Sequence, residues 1–264
     1  MKKLKHIGIW GGIFLYLAIT LSFVGEKRGN TICSQINVHI VDSTVDEILT
    51  REEVNDYIHD LDMKVLGHPV KNINIQYLEK TLTENPVVKN TEVYFTSDGD
   101  LNIKINQRNP IIRIANRKGQ NYFIDKEGAI VPSKGRYTSH VLIANGNIKE
   151  SFEPAKTNRI NCSQNKNENN NSGILCNLLE MAKFINKDPF WMSQIEQIYV
   201  NEKDEYEIIP RVGAHVIKFG PFENYREKFR NLKAFYRKGL NNVGWNQYLY
   251  INLKYDNQII CTKR

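Results

Sequence analysis

The sequence predicts an α+β chain in three parts: a single N-terminal transmembrane helix, a small unit of two helices on a three-stranded sheet, and a larger mostly-β domain with flanking helices. Three observations predict it. Residues 7–24 (IGIWGGIFLYLAITLSFV) hold no charged side chain, while Lys2, Lys3 and Lys5 precede them and Glu26, Lys27 and Arg28 follow. Residues 35–108 change period in the order strand, helix, helix, strand, strand. Residues 109–264 carry short strand-like runs broken by Gly, Asp and Pro, with two helical stripes among them.

At about 1.5 Å per residue the apolar segment makes a helix of roughly 27 Å, enough to cross a hydrocarbon core. A cleaved signal peptide shares this charged start and apolar middle. Cleavage after Gly25, however, sets the bulky Phe23 where a small residue is required. An uncleaved anchor is therefore expected: residues 1–6 a cytoplasmic tail, 7–24 the span, 25–34 a linker. The early lysines favour a cytoplasmic N-terminus and an extracytoplasmic body, although Lys27 and Arg28 weaken the contrast. Gly8, Gly11 and Gly12 either form a small-residue packing face or are the ordinary glycines of a single span.

Thirty-six basic residues against twenty-nine acidic ones give a net charge of +7, spread without a dense run. This excess suits work near anionic lipid headgroups. Nucleic acid is not an expected partner, because no basic–aromatic interleaved motif is present. Cys33, Cys162, Cys176 and Cys261 are too scattered for a disulfide framework or a CxxC metal pair. Cys162 and Cys176 either bridge across a loop in an oxidising compartment or remain thiols.

In the small unit, residues 35–41 (QINVHIV) alternate as a strand. Thr50-Arg51-Glu52-Glu53 reads as a capping box opening a helix with Val54, Ile58 and Leu61 on one face. Ile75, Leu78 and Leu82 mark a second helix over residues 75–83, stopped by Asn85-Pro86. Strands over 87–95 and 101–108 are joined by Ser97-Asp98-Gly99-Asp100, a hairpin signal. Leu101, Ile103 and Ile105 define a core face, and Asn102, Lys104 and Asn106 a solvated one.

In the larger region, strands are expected at 111–115, 122–124, 130–131, 141–144, 194–200, 206–210 and 215–219, the last two as a hairpin. Residues 161–172 (NCSQNKNENNNS) cannot bury a face and read as a flexible surface loop. A helix over 174–185 turns Leu175, Leu178, Leu179 and Ala182 inward. A helix over 222–239 carries the stripe Tyr225, Phe229, Leu232 and Tyr236. Its other side holds Arg226, Arg230, Lys233, Arg237 and Lys238, a face for lipid or a partner, or simply a solvated one. Residues 248–255 (YLYINLKY) alternate, with Leu249, Ile251, Leu253 and Tyr255 on one face and Tyr250, Asn252 and Lys254 on the other.

Nothing here is arranged to react. His6, His39, His59, His68, His140 and His215 stand without HExxH or paired spacing, and Gly11-Gly12 lies in the apolar segment. No GxSxG elbow is present. Asp42, Asp46, Glu47, Asp60 and Asp62 sit among turn and helix-surface residues, where solvated charge is the default. No catalytic residue, metal ligand or cofactor site is expected.

Two stretches carry a resemblance to a known family. Residues 78–111 (LEKTLTENPVVKNTEVYFTSDGDLNIKINQRNPI) resemble the closing half of a POTRA domain: helix, Pro-Val turn, strand hairpin and terminal Pro-Ile step. Residues 122–128 (YFIDKEG) and the tail 248–264 (YLYINLKYDNQIICTKR) resemble the bacterial division proteins of the FtsQ/DivIB family. The tail discriminates, because outer-membrane POTRA proteins continue instead into a membrane barrel. One departure is Gln107-Arg108-Asn109-Pro110, where the family often has an acidic residue before the proline.

The resemblance implies a POTRA domain over 35–108 and an FtsQ-type β domain over 109–264. It further implies a non-enzymatic divisome scaffold at the inner membrane and septum. FtsB-like and FtsL-like proteins are the implied partners, with other divisome components recruited through the POTRA domain. In the family, FtsB adds a strand to a C-terminal edge, and the matching positions are Tyr250, Ile251, Asn252, Leu253, Lys254, Tyr255 and Asp256. Tyr255 is the expected side-chain anchor, or else completes the core with Leu249, Ile251 and Leu253. The competing class is a POTRA-type periplasmic chaperone that holds many extended client strands weakly.

Overall fold

The computed structural model describes residues 10–20, 31–41, 48–60, 65–133, 141–152, 159–160, 162 and 173–264. Residues 10–20 are helical, with the side chains of 10–19 exposed, and the remainder of the expected span lies outside the described residues. Among the described residues, no helix is long and apolar enough to cross a membrane. Leu61 and all of 161–172 except Cys162 also fall outside. The chain divides into two compact units, Met1–Gln107 and Arg108–Arg264.

The first unit contains β1 (Ile36–Val41), α1 (Arg51–Asp60), α2 (Ile75–Thr83), β2 (Val88–Phe95) and β3 (Leu101–Gln107). Its sheet runs β1-β3-β2, with β1 parallel and β2 antiparallel to β3. Register places Val38, Ile103 and Val93 side by side, and all three are buried. The capping box forms: Thr50 N donates to Glu53 Oε2 at 3.0 Å, and Glu53 N donates to Thr50 Oγ1 at 3.2 Å. Val54 and Ile58 of α1, with Leu78 and Leu82 of α2, complete the core. Gly99 turns the hairpin at φ +94°, a conformation that disfavours a β-carbon.

The solvated face expected of β3 is corrected at Asn102, which is buried. β3 is the central strand, and Asn102 stands between its register partners Asn37 and Tyr94, which screen it from water.

The second unit is built on one mixed nine-stranded sheet. Its strands are β4 (Pro110–Ala115), β5 (Asn121–Asp125), β6 (Ile130–Pro132), β7 (Leu142–Gly146), β8 (Ile195–Val200), β9 (Tyr206–Pro210), β10 (Val216–Gly220), β11 (Tyr248–Asn252) and β12 (Ile260–Lys263). They lie in the order β12-β11-β10-β9-β8-β7-β4-β5-β6. Helices α3 (Ile174–Lys187), α4 (Pro189–Gln194) and α5 (Tyr225–Phe235) pack Leu178, Met181, Trp191, Phe229 and Leu232 onto Ile112, Ile198, Ile208, Ile217 and Ile251. β9 and β10 form the expected antiparallel pair. Cys162 and Cys176 are joined by a disulfide, while Cys33 and Cys261 are free.

Two helical expectations are corrected. α4 went unread, although Asp188 caps it by accepting from Phe190 N at 3.0 Å and Pro189 opens its first turn. The single helix expected over 222–239 begins only at Tyr225, because Asn224 takes a left-handed conformation at φ 54°. Its last turn is a π-helix, Tyr236–Leu240. A β-carbon on Gly239 would lie 2.8 Å from the Phe235 ring, so glycine permits this winding.

Candidate partner-binding edge

Strand β11 is not an edge. It pairs parallel to β10 through Val216↔Tyr250, Ile217↔Ile251 and Lys218↔Asn252, and antiparallel to β12 on its other side. The expected exposed edge at Tyr250–Asp256 is therefore corrected. Tyr250, Ile251 and Asn252 are interior to the sheet, and among the described residues the free edge belongs to β12. The physical reason is a chain reversal. Leu253 N still donates to Lys218 O at 2.9 Å, but Asn257 turns the backbone at φ 58° and the chain returns as Ile260–Lys263.

The seven expected residues separate by environment. Ile251 and Leu253 are buried in the core. Tyr250 lies on the opposite face, where the Lys218 ammonium sits 3.9 Å from its ring centroid. Lys254 folds over Gly220 and pairs with Glu205, the residue before β9. This bond from Lys254 holds the Glu205 carboxyl below the usual carboxylate range. Tyr255 is 52% exposed and Asp256 is exposed beside it in the turn. Core completion by Tyr255 is thus excluded. Leu249 is also corrected, being exposed rather than core, because the β11–β12 register shifts between Tyr248 and Tyr250.

On β12, Cys261 stands opposite Ile251 and packs against the core, and burial raises its thiol pKa. Ile260 and Thr262 stand opposite Asn252 and Tyr250 on the other face. Beside the hairpin turn, Lys228 of α5 donates to Pro221 O at 2.6 Å and lies 5.1 Å from the Phe219 ring centroid. Burial pushes the Lys228 pKa down. Arg264 anchors the end of the strand: its Nη2 donates to Ala214 O at 2.6 Å and its backbone N to Gln247 O at 3.2 Å.

The edge offers main-chain donors and acceptors on one side of four residues, with an exposed aromatic at the preceding turn. That chemistry recognises another extended chain. The sheet's other edge is the short β6, which ends at Pro132, a residue that cannot donate to a ladder. Among the described residues, no group of three or more His, Cys, Asp or Glu side chains is placed to hold a metal ion. Sequence reasoning missed β12 itself. Tyr255-Asp256-Asn257 followed by Ile259-Ile260 was the available signal for a turn and a second strand.

Comparison with known families agrees with this architecture. Residues 31–106 match a POTRA-like domain, which sets the class of the first unit. Residues 109–262, more than half of the chain, match the family described as FtsQ/DivIB, C-terminal related, and the chain belongs to that family. No curated protein matches the chain. The two domains together point to a scaffold role in the division machinery.

Proposed function

We propose that this chain is a bitopic, non-enzymatic divisome scaffold that binds FtsB-like and FtsL-like proteins by strand addition to β12, in support of septal wall synthesis. In this reading residues 1–6 are cytoplasmic, 7–24 anchor the chain in the inner membrane, and 25–34 are a linker. Domains 35–108 and 109–264 then stand outside the cytoplasm at the septum, the first serving recruitment. The observation that carries the reading is the one-sided pairing of β12 at the end of a sheet whose family works in division. Tyr255 and Asp256 flank that edge, and Tyr250, Ile251, Asn252, Leu253 and Lys254 form the strand and loop that support it.

The test compares full-length protein with Lys263→Pro, which removes an outward N–H from a four-residue edge, the neighbouring Arg264 N being turned inward to Gln247 O. Binding of an FtsB-like partner should fall by at least about tenfold, or 1.4 kcal/mol, while a fluorescent fusion keeps its midcell band. Undiminished binding rejects strand addition. Uniform envelope fluorescence from the intact protein rejects the divisome assignment. Weak binding of many unrelated strands favours the chaperone instead.

A further inference from the structure

The outer face of α5 carries more cations than its ion pairs use. Arg226, Arg230, Lys233 and Arg237 recur along it at helical spacing, and Lys238 follows in the π-helical turn. Arg230 bonds Glu227 and Lys233 bonds Asp188. Among the described residues no carboxylate bonds Lys187, Arg237 or Lys238, and all three are exposed. Asp188 feels the Arg237 charge, but its own bond goes to Lys233. Residues 228–255 hold no aspartate or glutamate at all. Unmatched cations gathered on one surface repel each other and attract an anionic partner.

These cations stand around a row of rings. The Lys233 ammonium lies 4.9 Å and the Arg237 guanidinium 5.7 Å from the ring centroid of Phe190, which is half-buried. Tyr236 follows, its centroid 6.4 Å from Phe190 on one side and 5.1 Å from Trp245 on the other. Trp245 is likewise half-buried. The short helical turn Asn241–Val243 continues directly from the π-helix and leaves Val243 50% exposed.

The mixture narrows the choice of partner. A soluble polyanion would use the cations and leave Val243 and the open side of Trp245 in water. A bilayer uses both. Lipid phosphates meet lysine and arginine, while an indole and an aliphatic tip settle at the boundary between headgroups and acyl chains.

From the unmatched cations and the half-open rings among them, we infer that the C-terminal end of α5, with the 241–245 turn, is a docking surface for a bilayer containing anionic phospholipid. It lies within the second unit and requires neither the β12 edge nor the N-terminal anchor.

The experiment places the full chain, carrying Trp10→Phe, in nanodiscs whose phosphatidylcholine has brominated acyl chains. One preparation holds phosphatidylcholine alone, and the other adds phosphatidylglycerol. Bromine quenches an indole only at close range. Trp191 is buried in the core, and the signal lost in Trp245→Phe identifies Trp245. Fluorescence from Trp245 should fall at least about twofold in the anionic discs and stay unquenched in the neutral ones. Arg237→Gln combined with Lys238→Gln alters exposed side chains and should remove at least about half of that quenching, with circular dichroism unchanged. Lys149→Gln combined with Lys203→Gln removes the same charge from other exposed positions and should leave the quenching intact. Equal quenching in the two discs, none in either, or equal loss from both charge pairs overturns the proposal. So does saturable binding of a soluble glutamate-rich peptide, abolished by the Arg237 and Lys238 changes, without quenching of Trp245; that result assigns the patch to an acidic protein segment. Retention of the chain in neutral discs reads the proposed anchor separately.

Discussion

Arg108 Nη1 donates to Asp125 Oδ2 at 3.0 Å, with both side chains almost fully withdrawn from water. The other carboxylate oxygen of Asp125 accepts from Glu127 N and Ala129 N, each at 2.8 Å. One side chain thus ties the start of the second unit to the β5–β6 turn. Arg108 stands in the segment where the family often places an acid before proline, and here the charge is reversed and satisfied within the domain.

Asp125→Ala leaves a buried guanidinium and two amides without their acceptor. It should cost about 3–5 kcal/mol, read from urea unfolding followed by tryptophan fluorescence. Asp125→Asn keeps an acceptor oxygen and should cost less. An Ala variant as stable as the parent contradicts the structural role.

Tyr255 and Ile251 should part company. With Tyr255 half in solvent, Tyr255→Ala should change stability by no more than about 0.5 kcal/mol, so any loss of partner binding reads as interface. Ile251 is fully buried. Ile251→Ala should cost about 2–5 kcal/mol in the same unfolding assay.

His215 is buried, and its Nε2 lies 2.9 Å from the Tyr236 hydroxyl. Burial lowers its pKa below the ordinary value of 6.5, and the nearby Arg264 charge lowers it further. Folding then favours the neutral ring. Stability is full above the unfolded-state pKa of about 6.5 and declines as pH falls toward the lower folded value. Denaturation between pH 7.5 and 5 should therefore show a loss in the second unit that His215→Gln flattens. Carboxylates held low by their lysines, such as Asp188 beside Lys233, act only at more acid pH.

The Cys162–Cys176 bridge spans a sequence separation of 14. For a loop of that size reduction should cost about 3 kcal/mol, measured as a lowered urea midpoint in dithiothreitol. Thiol titration of unreduced, denatured protein should find two thiols, Cys33 and Cys261.

Local signals carried much of the architecture. Thr50 and Glu53 declare a helix start, Gly99 a hairpin, and Leu78 with Leu82 an apolar stripe, because each depends on residues a few positions apart. Pairing across long separations was not legible. Nothing in QINVHIV states that Val38 will lie parallel to Ile103, or that Asn102 will be screened by its neighbours. At the candidate site the alternation through Tyr255 read as one long strand. A register shift near Leu249 and a turn at Asn257 are backbone events without a hydrophobic period, so the true edge passed unseen.

The β11–β12 hairpin is stitched to the rest of its sheet along one parallel seam of three register pairs, Val216 to Lys218 against Tyr250 to Asn252. So narrow a seam, matched at the sheet's other edge by the three pairs of β5 and β6, makes the hairpin a place where the sheet can fray. A strand captured on β12 binds only the closed form, so part of its binding energy goes into holding that seam shut. Occupancy at the edge would then be felt at that inner seam, as slowed amide exchange at Leu253, whose N–H donates to Lys218 O across it.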